Sequence, residues 1–334
     1  MDGMNLNPYT MFDKYLPKKF CREFALLKGH SVQITMIMAV VLGIKPCMDD
    51  WIPLDRLHDY KRICKKYGLY IYSDAIFSVV EKKEIPHSVI GRDRLTTTMA
   101  FGYAYSPDTV HNGSVHVFVS RTKKHLDEAL KDGWYPLIIH GRVIDKPLID
   151  AHRFGSSLGY PDCCIDFFRK YNNWYRYSFL YESFKNTRKG TSNFLCNPFN
   201  KNTPYTYIYH MPCSYACKNT ICLTKDLRLA IKNEEPEFVK IIDAHLRLPF
   251  LVFYERKYYC FDGVLRKGRI YYQGVYFPDF TRGNNLYLDT LKRGNCVFID
   301  NNDVVVLRNR TVRARIKVAK NAFAPEQPFL IQFS

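Results

Sequence analysis

The chain has no apolar run long enough to cross a bilayer. Its longest, Ile34 to Ile44, includes Thr35 and is closely followed by Pro46, so it predicts a buried helix instead. The start Met1-Asp2-Gly3-Met4-Asn5 carries neither the basic residues nor the apolar stretch of a secretory signal, which makes a cytoplasmic location the expectation. Neither a Walker A sequence nor a G-x-G-x-x-G occurs, so a nucleotide-fold reading has no motif behind it. Internal repeats and low-complexity tracts are missing too, and ordered structure is expected nearly throughout. Acidic residues are the scarcer charge, 32 against 49 Lys and Arg, for a net +17. That excess favours polyanionic partners, RNA among them.

Cysteine is present in quantity. Eleven, an odd number scattered over 334 residues with no signal segment, argue against a disulfide framework and for reduced thiols. Cys21, Cys47, Cys64, Cys260 and Cys296 stand alone among apolar or mixed neighbours and read as small core residues. The others gather between Cys163 and Cys222.

The pattern of elements predicts an α+β fold in three stretches. Residues 1–146 read as a mixed α/β unit. It has helices from Ser31 and over Leu54–Tyr67, strands within Leu69–Val80, Thr96–Tyr105 and Val115–Ser120, and a charged helix from Thr122 to Lys131. Residues 147–245 read as a helical, Cys-rich segment. Residues 246–334 are almost pure β, short strands parted by Asp262-Gly263, Lys267-Gly268, Arg293-Gly294 and Asn301-Asn302-Asp303, which predicts a small antiparallel barrel or sandwich.

Two cysteine segments carry the chemistry. In GYPDCCIDFF, Pro161 suits the first position of a helix and places Cys163 and Cys164 in its first turn, where the helix dipole favours thiolate. In HMPCSYAC, Pro212 is expected to open a second helix, with Cys213 in its first turn, Cys217 four residues on along the same face, and His210 just ahead. Cys163, Cys164, His210, Cys213 and Cys217 are therefore the candidate ligands of zinc or an iron–sulfur cluster. Cys196 is held in reserve, and Cys222 is off the Cys213/Cys217 face. The spacing is not that of a zinc ribbon. Thr220 stands where a C-x-x-x-C-x-x-C cluster motif needs its third cysteine. A metal-free alternative has Cys163 or Cys164 as nucleophile and His210 as base. Nearby, His140, His152, Asp162, Asp166 and Tyr160 are lesser candidates, and Ser156-Ser157 reads as the end of a helix.

The pairing of Leu-Gly-Tyr-Pro-x-Cys-Cys (Leu158 to Cys164) with His-x-Pro-Cys-Ser-x-x-Cys (His210 to Cys217) resembles a family of prokaryotic proteins classed as a domain of unknown function. The likeness runs from about Lys146 to Pro278 and takes in RFGSSLGYPDCC, the helix after Cys217 and GRIYYQGV. It implies a shared cysteine-centred site and brings no established activity.

The last strand, TVRARIKV, alternates Val312, Ala314, Ile316 and Val318 with Arg313, Arg315 and Lys317, giving one apolar and one cationic face. With Arg308 and Arg310 these form a candidate nucleic-acid surface, and Tyr258, Tyr259, Tyr271 and Tyr272 could stack bases beside it. The function expected is an enzyme acting on RNA or a nucleotide-like anion through the Cys/His site. The alternatives are a non-enzymatic RNA-binding protein with a structural zinc and the metal-free thiol enzyme.

Overall fold

The computed structural model describes residues 11–29, 33–78, 103–105, 114–132, 138–139, 142–143, 150–171, 178–188, 191–254, 257–278, 287–318 and 328–334. His140, the Asn112-Gly113 turn and most of Thr96–Tyr105 lie outside them. The chain divides into two compact units: residues 36–173, and residues 1–35 together with 174–334. These boundaries are not those of the three stretches drawn from the sequence. One reason lies in the N-terminal segment, where α1 (Arg22–Lys28) is preceded by backbone that docks far along the chain. The buried Glu235 carboxylate accepts from the N–H groups of Lys18, Lys19 and Phe20, at 3.3, 2.9 and 2.9 Å.

The 36–173 unit takes in most of α2 (Ile34–Val41), the apolar run expected as a helix. There follow β1 (Cys47–Pro53), α3 (Leu57–Lys66), β2 (Tyr70–Ser78), β3 (Tyr103–Tyr105), β4 (Ser114–Ser120) and α4 (Lys123–Asp132). After the short β5 (Ile138–Ile139) and β6 (Arg142–Val143) come α5 (Ala151–Ser157) and α6 (Asp162–Tyr171). Four of the strands form an antiparallel sheet in the order β1-β4-β2-β3. The sequence left β1 unread because Asp49-Asp50 interrupts its pattern. Asp50 is nonetheless buried, its carboxylate accepting from Trp51 N at 2.8 Å and from the Tyr60 hydroxyl at 3.4 Å. The stretch after Leu69 is one bent strand, with a register irregularity between Ser73 and Ile76. A core of Cys47, Phe118, Leu126, Ala129 and Leu158 holds the sheet against α4 and the end of α5.

The second unit continues with α7 (Phe179–Lys185), a 3-10 turn at Phe194–Cys196, α8 (Lys218–Glu234) and α9 (Pro236–Leu246), the last two broken apart at Pro236. Asp243 of α9 receives a bidentate pair from Arg228 of α8 and a 2.9 Å hydrogen bond from the Tyr207 hydroxyl, which locks the two helices together.

Then come β7 (Phe250–Tyr254), β8 (Lys257–Arg266), β9 (Arg269–Tyr276), α10 (Leu288–Lys292), β10 (Cys296–Asp300), β11 (Asp303–Arg308), β12 (Thr311–Ile316) and β13 (Phe329–Ile331). Among the described residues these strands make one antiparallel sheet, β12-β11-β10-β9-β8-β7-β13, which is not closed into a barrel, one of the two closures expected. Asp262-Gly263 is a bulge inside β8 and not a turn. A side chain at Gly263 would put its Cβ 2.1 Å from the Tyr271 carbonyl oxygen, which the partner strand cannot yield. One face of the sheet carries the main core, including Tyr259, Phe261, Ile270, Tyr272, Val297 and Val306. Among the described residues no helix is long and apolar enough to cross a membrane.

Candidate metal centre

The first cysteine segment forms as its residues direct. α5 is capped by Asp150, whose carboxylate accepts from His152 N at 2.9 Å and Arg153 N at 3.1 Å. It ends at Gly159, whose φ of +69° lies in the left-handed region and whose Cβ, were there one, would sit 2.9 Å from Pro46 Cδ. α6 then starts directly after Pro161, whose carbonyl accepts from Cys164 N and Ile165 N at 2.8 and 3.0 Å. Cys163 and Cys164 thus occupy the first turn. Their sulfurs lie 3.9 Å apart, Cys163 half-buried and Cys164 buried.

The second segment corrects the sequence reading. No helix opens at Pro212; residues 210–217 form a succession of turns, and α8 begins at Lys218. Cys217 is its N-cap, with the sulfur 3.5 Å from Thr220 N. The backbone of the turns is held from outside, which is why it does not coil. Ser183 donates to the Pro212 carbonyl and Asn186 Nδ2 to the Cys213 carbonyl at 3.0 Å. Thr187 Oγ1 accepts from Tyr215 N at 2.7 Å, and Asn193 N donates to the Tyr215 carbonyl at 2.8 Å. Tyr215 itself is buried among Phe199 and Phe333, its hydroxyl donating to the Leu180 carbonyl at 2.7 Å. Sequence reasoning missed these positioning residues. Their one local signal is the polar run after α7.

Four of the five candidate ligands converge. The sulfurs of Cys163, Cys164, Cys213 and Cys217 all lie within 4.8 Å of one another. Cys164 and Cys217 are buried; Cys163 and Cys213 are half-exposed. Among the described residues this is the group of His, Cys, Asp and Glu side chains that could hold a metal ion, and His210 is not a member. The His210 Nε2 lies 3.0 Å from Thr220 Oγ1, so it braces the residue whose N–H points at the Cys217 sulfur. Cys163 and Cys164 lie in the first turn of α6, and Cys217 lies at the N-cap of α8. Four cysteine donors form the all-thiolate set that zinc or iron takes.

The remaining candidates stand apart. Cys196 is buried, with its sulfur 3.7 Å from the Cys217 carbonyl oxygen, and Cys222 is exposed on α8. His152 lies 3.8 Å from Asp162 at the start of α6, while Asp166 meets Arg169 at 3.5 Å. Tyr160 is a packing residue: the Lys45 ammonium lies 4.0 Å from its ring centroid. Burial lowers Lys45 to about 7, with Asp49 and Cys47 opposing the shift, and burial raises Tyr160 above its ordinary range. Gly155 to Gly159 spells G-x-S-x-G. A nucleophile elbow needs a strand before its serine, however, and Ser157 closes a helix.

The cationic strand is only partly as expected. Arg308, Arg310, Arg313 and Lys317 are exposed, but Arg315 meets Asp300 at 2.9 Å and Asp303 at 3.7 Å. Val312, expected on an apolar face, is 57% exposed because β12 is an edge strand with an irregular register beside Leu307. Of the four tyrosines, Tyr258, Tyr259 and Tyr272 are buried, and Tyr271 is 46% exposed.

No family model, no curated protein and no solved structure matches the chain.

Proposed function

We propose that Cys163, Cys164, Cys213 and Cys217 hold one tetrahedral metal ion, zinc, in a structural site, and that the protein binds RNA. The observation that carries the metal is the spacing of the four sulfurs. Thiolates 2.3 Å from a tetrahedral zinc stand about 3.8 Å apart. The Cys163–Cys164 separation of 3.9 Å meets that edge, and the limit of 4.8 Å on all pairs asks for small movements only. A four-iron cluster spreads its thiolates over different irons, roughly 6 Å apart, and fits less well. Four thiolates fill the coordination shell, which favours a structural role over one with an open position for substrate. RNA is supported by the +17 charge and by the surplus on the C-terminal stretch, where fifteen Lys and Arg face seven Asp and Glu from Leu246 to Ser334.

Metal and sulfide analysis of protein purified anaerobically is the direct test. One zinc per chain is expected, with no inorganic sulfide, and Cys217→Ser is expected to lose the metal and several kcal/mol of stability. Iron with inorganic sulfide would move the reading to a cluster. A metal-free protein whose melting is indifferent to added zinc would end it.

A further inference from the structure

The sheet face opposite the main core has a small apolar floor of its own. Cys296, Val305 and Leu307 are buried there with Phe298 packed beside them. Tyr271, Cys296 and Leu307 lie directly across from one another on β9, β10 and β11, and Arg269 lies opposite Phe298. The floor opens into a groove of about 660 Å³, lined among others by Arg269, Tyr271, Asn295, Asn309 and Arg310. The Arg269 guanidinium sits 4.5 Å from the Phe298 ring centroid, which holds it in place and leaves its charge in force. Among the described residues neither Arg269 nor Arg310 forms an ion pair, in contrast to Arg315.

Arg310 occupies an unusual position. Three of the sheet's hairpin turns have two central residues with positive φ: Lys267-Gly268 (48° and 71°), Asn301-Asn302 (47° and 72°) and Asn309-Arg310 (52° and 69°). In such turns the second position suits Gly or Asn, and an arginine there is held against its backbone preference. The hold is visible: Asn309 N donates to Asn295 Oδ1 at 3.1 Å, and Asn295 Nδ2 donates to Asn309 Oδ1 at 2.9 Å. A residue that glycine would replace at lower conformational cost is thereby kept in the lining of the groove.

We propose that this groove binds single-stranded nucleic acid, Arg269 and Arg310 taking phosphates and Tyr271 stacking on a base. The proposal rests on the RNA half of the preceding reading and is independent of the metal half. The half-exposed Tyr271 ring offers a platform to an unstacked base, which a duplex does not present, and the groove has the volume of sites that hold nucleotide-sized ligands.

The test is fluorescence anisotropy of the full chain with labelled RNA and DNA oligonucleotides of about 12 nucleotides, over a range of salt. Arg310→Gly is expected to weaken binding about fivefold and to lower the salt slope by about one, with the melting temperature unchanged or higher because glycine suits the turn. Tyr271→Ala is expected to weaken binding about tenfold. Lys225→Gln, which removes the same charge from an exposed position on α8 outside the groove lining, is expected to change affinity less than about twofold. Equal losses in Arg310→Gly and Lys225→Gln, an unchanged Tyr271→Ala, or a blunt duplex competing as well as the single strand would each overturn the proposal. Zinc content measured on the same samples separates the two readings. A zinc-loaded protein that ignores the oligonucleotides sinks the RNA reading and the groove with it, one that binds them unaffected by Tyr271→Ala and Arg310→Gly sinks the groove alone, and a metal-free protein that binds them through Tyr271 and Arg310 sinks the metal alone.

Discussion

The two cysteine segments end in the same chemistry, two thiols beside a helix start, and reach it by opposite routes. Residues 158–164 make their own geometry. Gly159 supplies the left-handed break, Pro161 launches the helix, and the cysteines fall in the first turn. Residues 210–217 carry the same proline–cysteine pattern, yet their backbone is shaped by Ser183, Asn186, Thr187 and Asn193. A proline permits a helix start without compelling one. Where neighbouring side chains claim the carbonyls and N–H groups, turns win, and the helix waits for Cys217 to cap it.

The largest effect that would sharpen the contrast is a pH dependence carried by Lys45, which packs on Tyr160 of the self-made segment. Unfolded, this lysine holds its proton up to its ordinary value of 10.5; folded, it releases it near 7, chiefly because it is buried. Stability is therefore present at high pH and is lost as pH falls toward 7. Cys47 and Cys64 act in the reverse sense, because burial lifts both to about 12. Their unfolded thiols ionise near 9 while the folded ones do not, so stability falls above 9. Urea unfolding between pH 7 and 9 should show a rise of about 2 kcal/mol, which Lys45→Met should flatten. A variant with the wild-type slope would place the titration elsewhere.

What was legible in the sequence follows the same division. An apolar run found α2, an apolar stripe found α3, and β-branched and aromatic runs between turn residues found β4 and the strands after Phe250, because in each the signal lies within the segment itself. It failed where a long-range partner decided the outcome. Asp49-Asp50 hid β1 because Asp50 finds Tyr60; Asp262-Gly263 passed for a turn because its close approach to Tyr271 is invisible along the chain; Pro212 passed for a helix start. At the candidate site the four thiols were readable from clustering, while the contact of His210 with Thr220 was not, because it depends on where α8 begins. Gly159→Ala measures how local the first segment is. The left-handed φ and the 2.9 Å approach to Pro46 should together cost about 2 kcal/mol in urea unfolding. Gly68→Ala, with a φ of +67° and open space around it, should cost about 1 kcal/mol. Equal losses would mean that Pro46 yields and the break owes nothing to its neighbour.

The smallest effect probes the borrowed shape of the second segment. Thr187 Oγ1 donates to the Ser183 carbonyl at 2.7 Å while accepting from Tyr215 N at 2.7 Å. Thr187→Val keeps the volume, removes both bonds and leaves the Tyr215 N–H without its acceptor, for about 1 kcal/mol of stability. Because Tyr215 lies between Cys213 and Cys217, loosening its backbone frees both thiols from their common arrangement. Under the zinc reading, the variant should surrender its metal to a competing chelator several-fold faster than wild type, while its melting temperature falls only slightly. Gly159→Ala, matched for zinc content, gives the comparison from the other segment. Wild-type release from Thr187→Val would show that the bound metal itself shapes the turns, and that the surrounding hydrogen bonds merely follow.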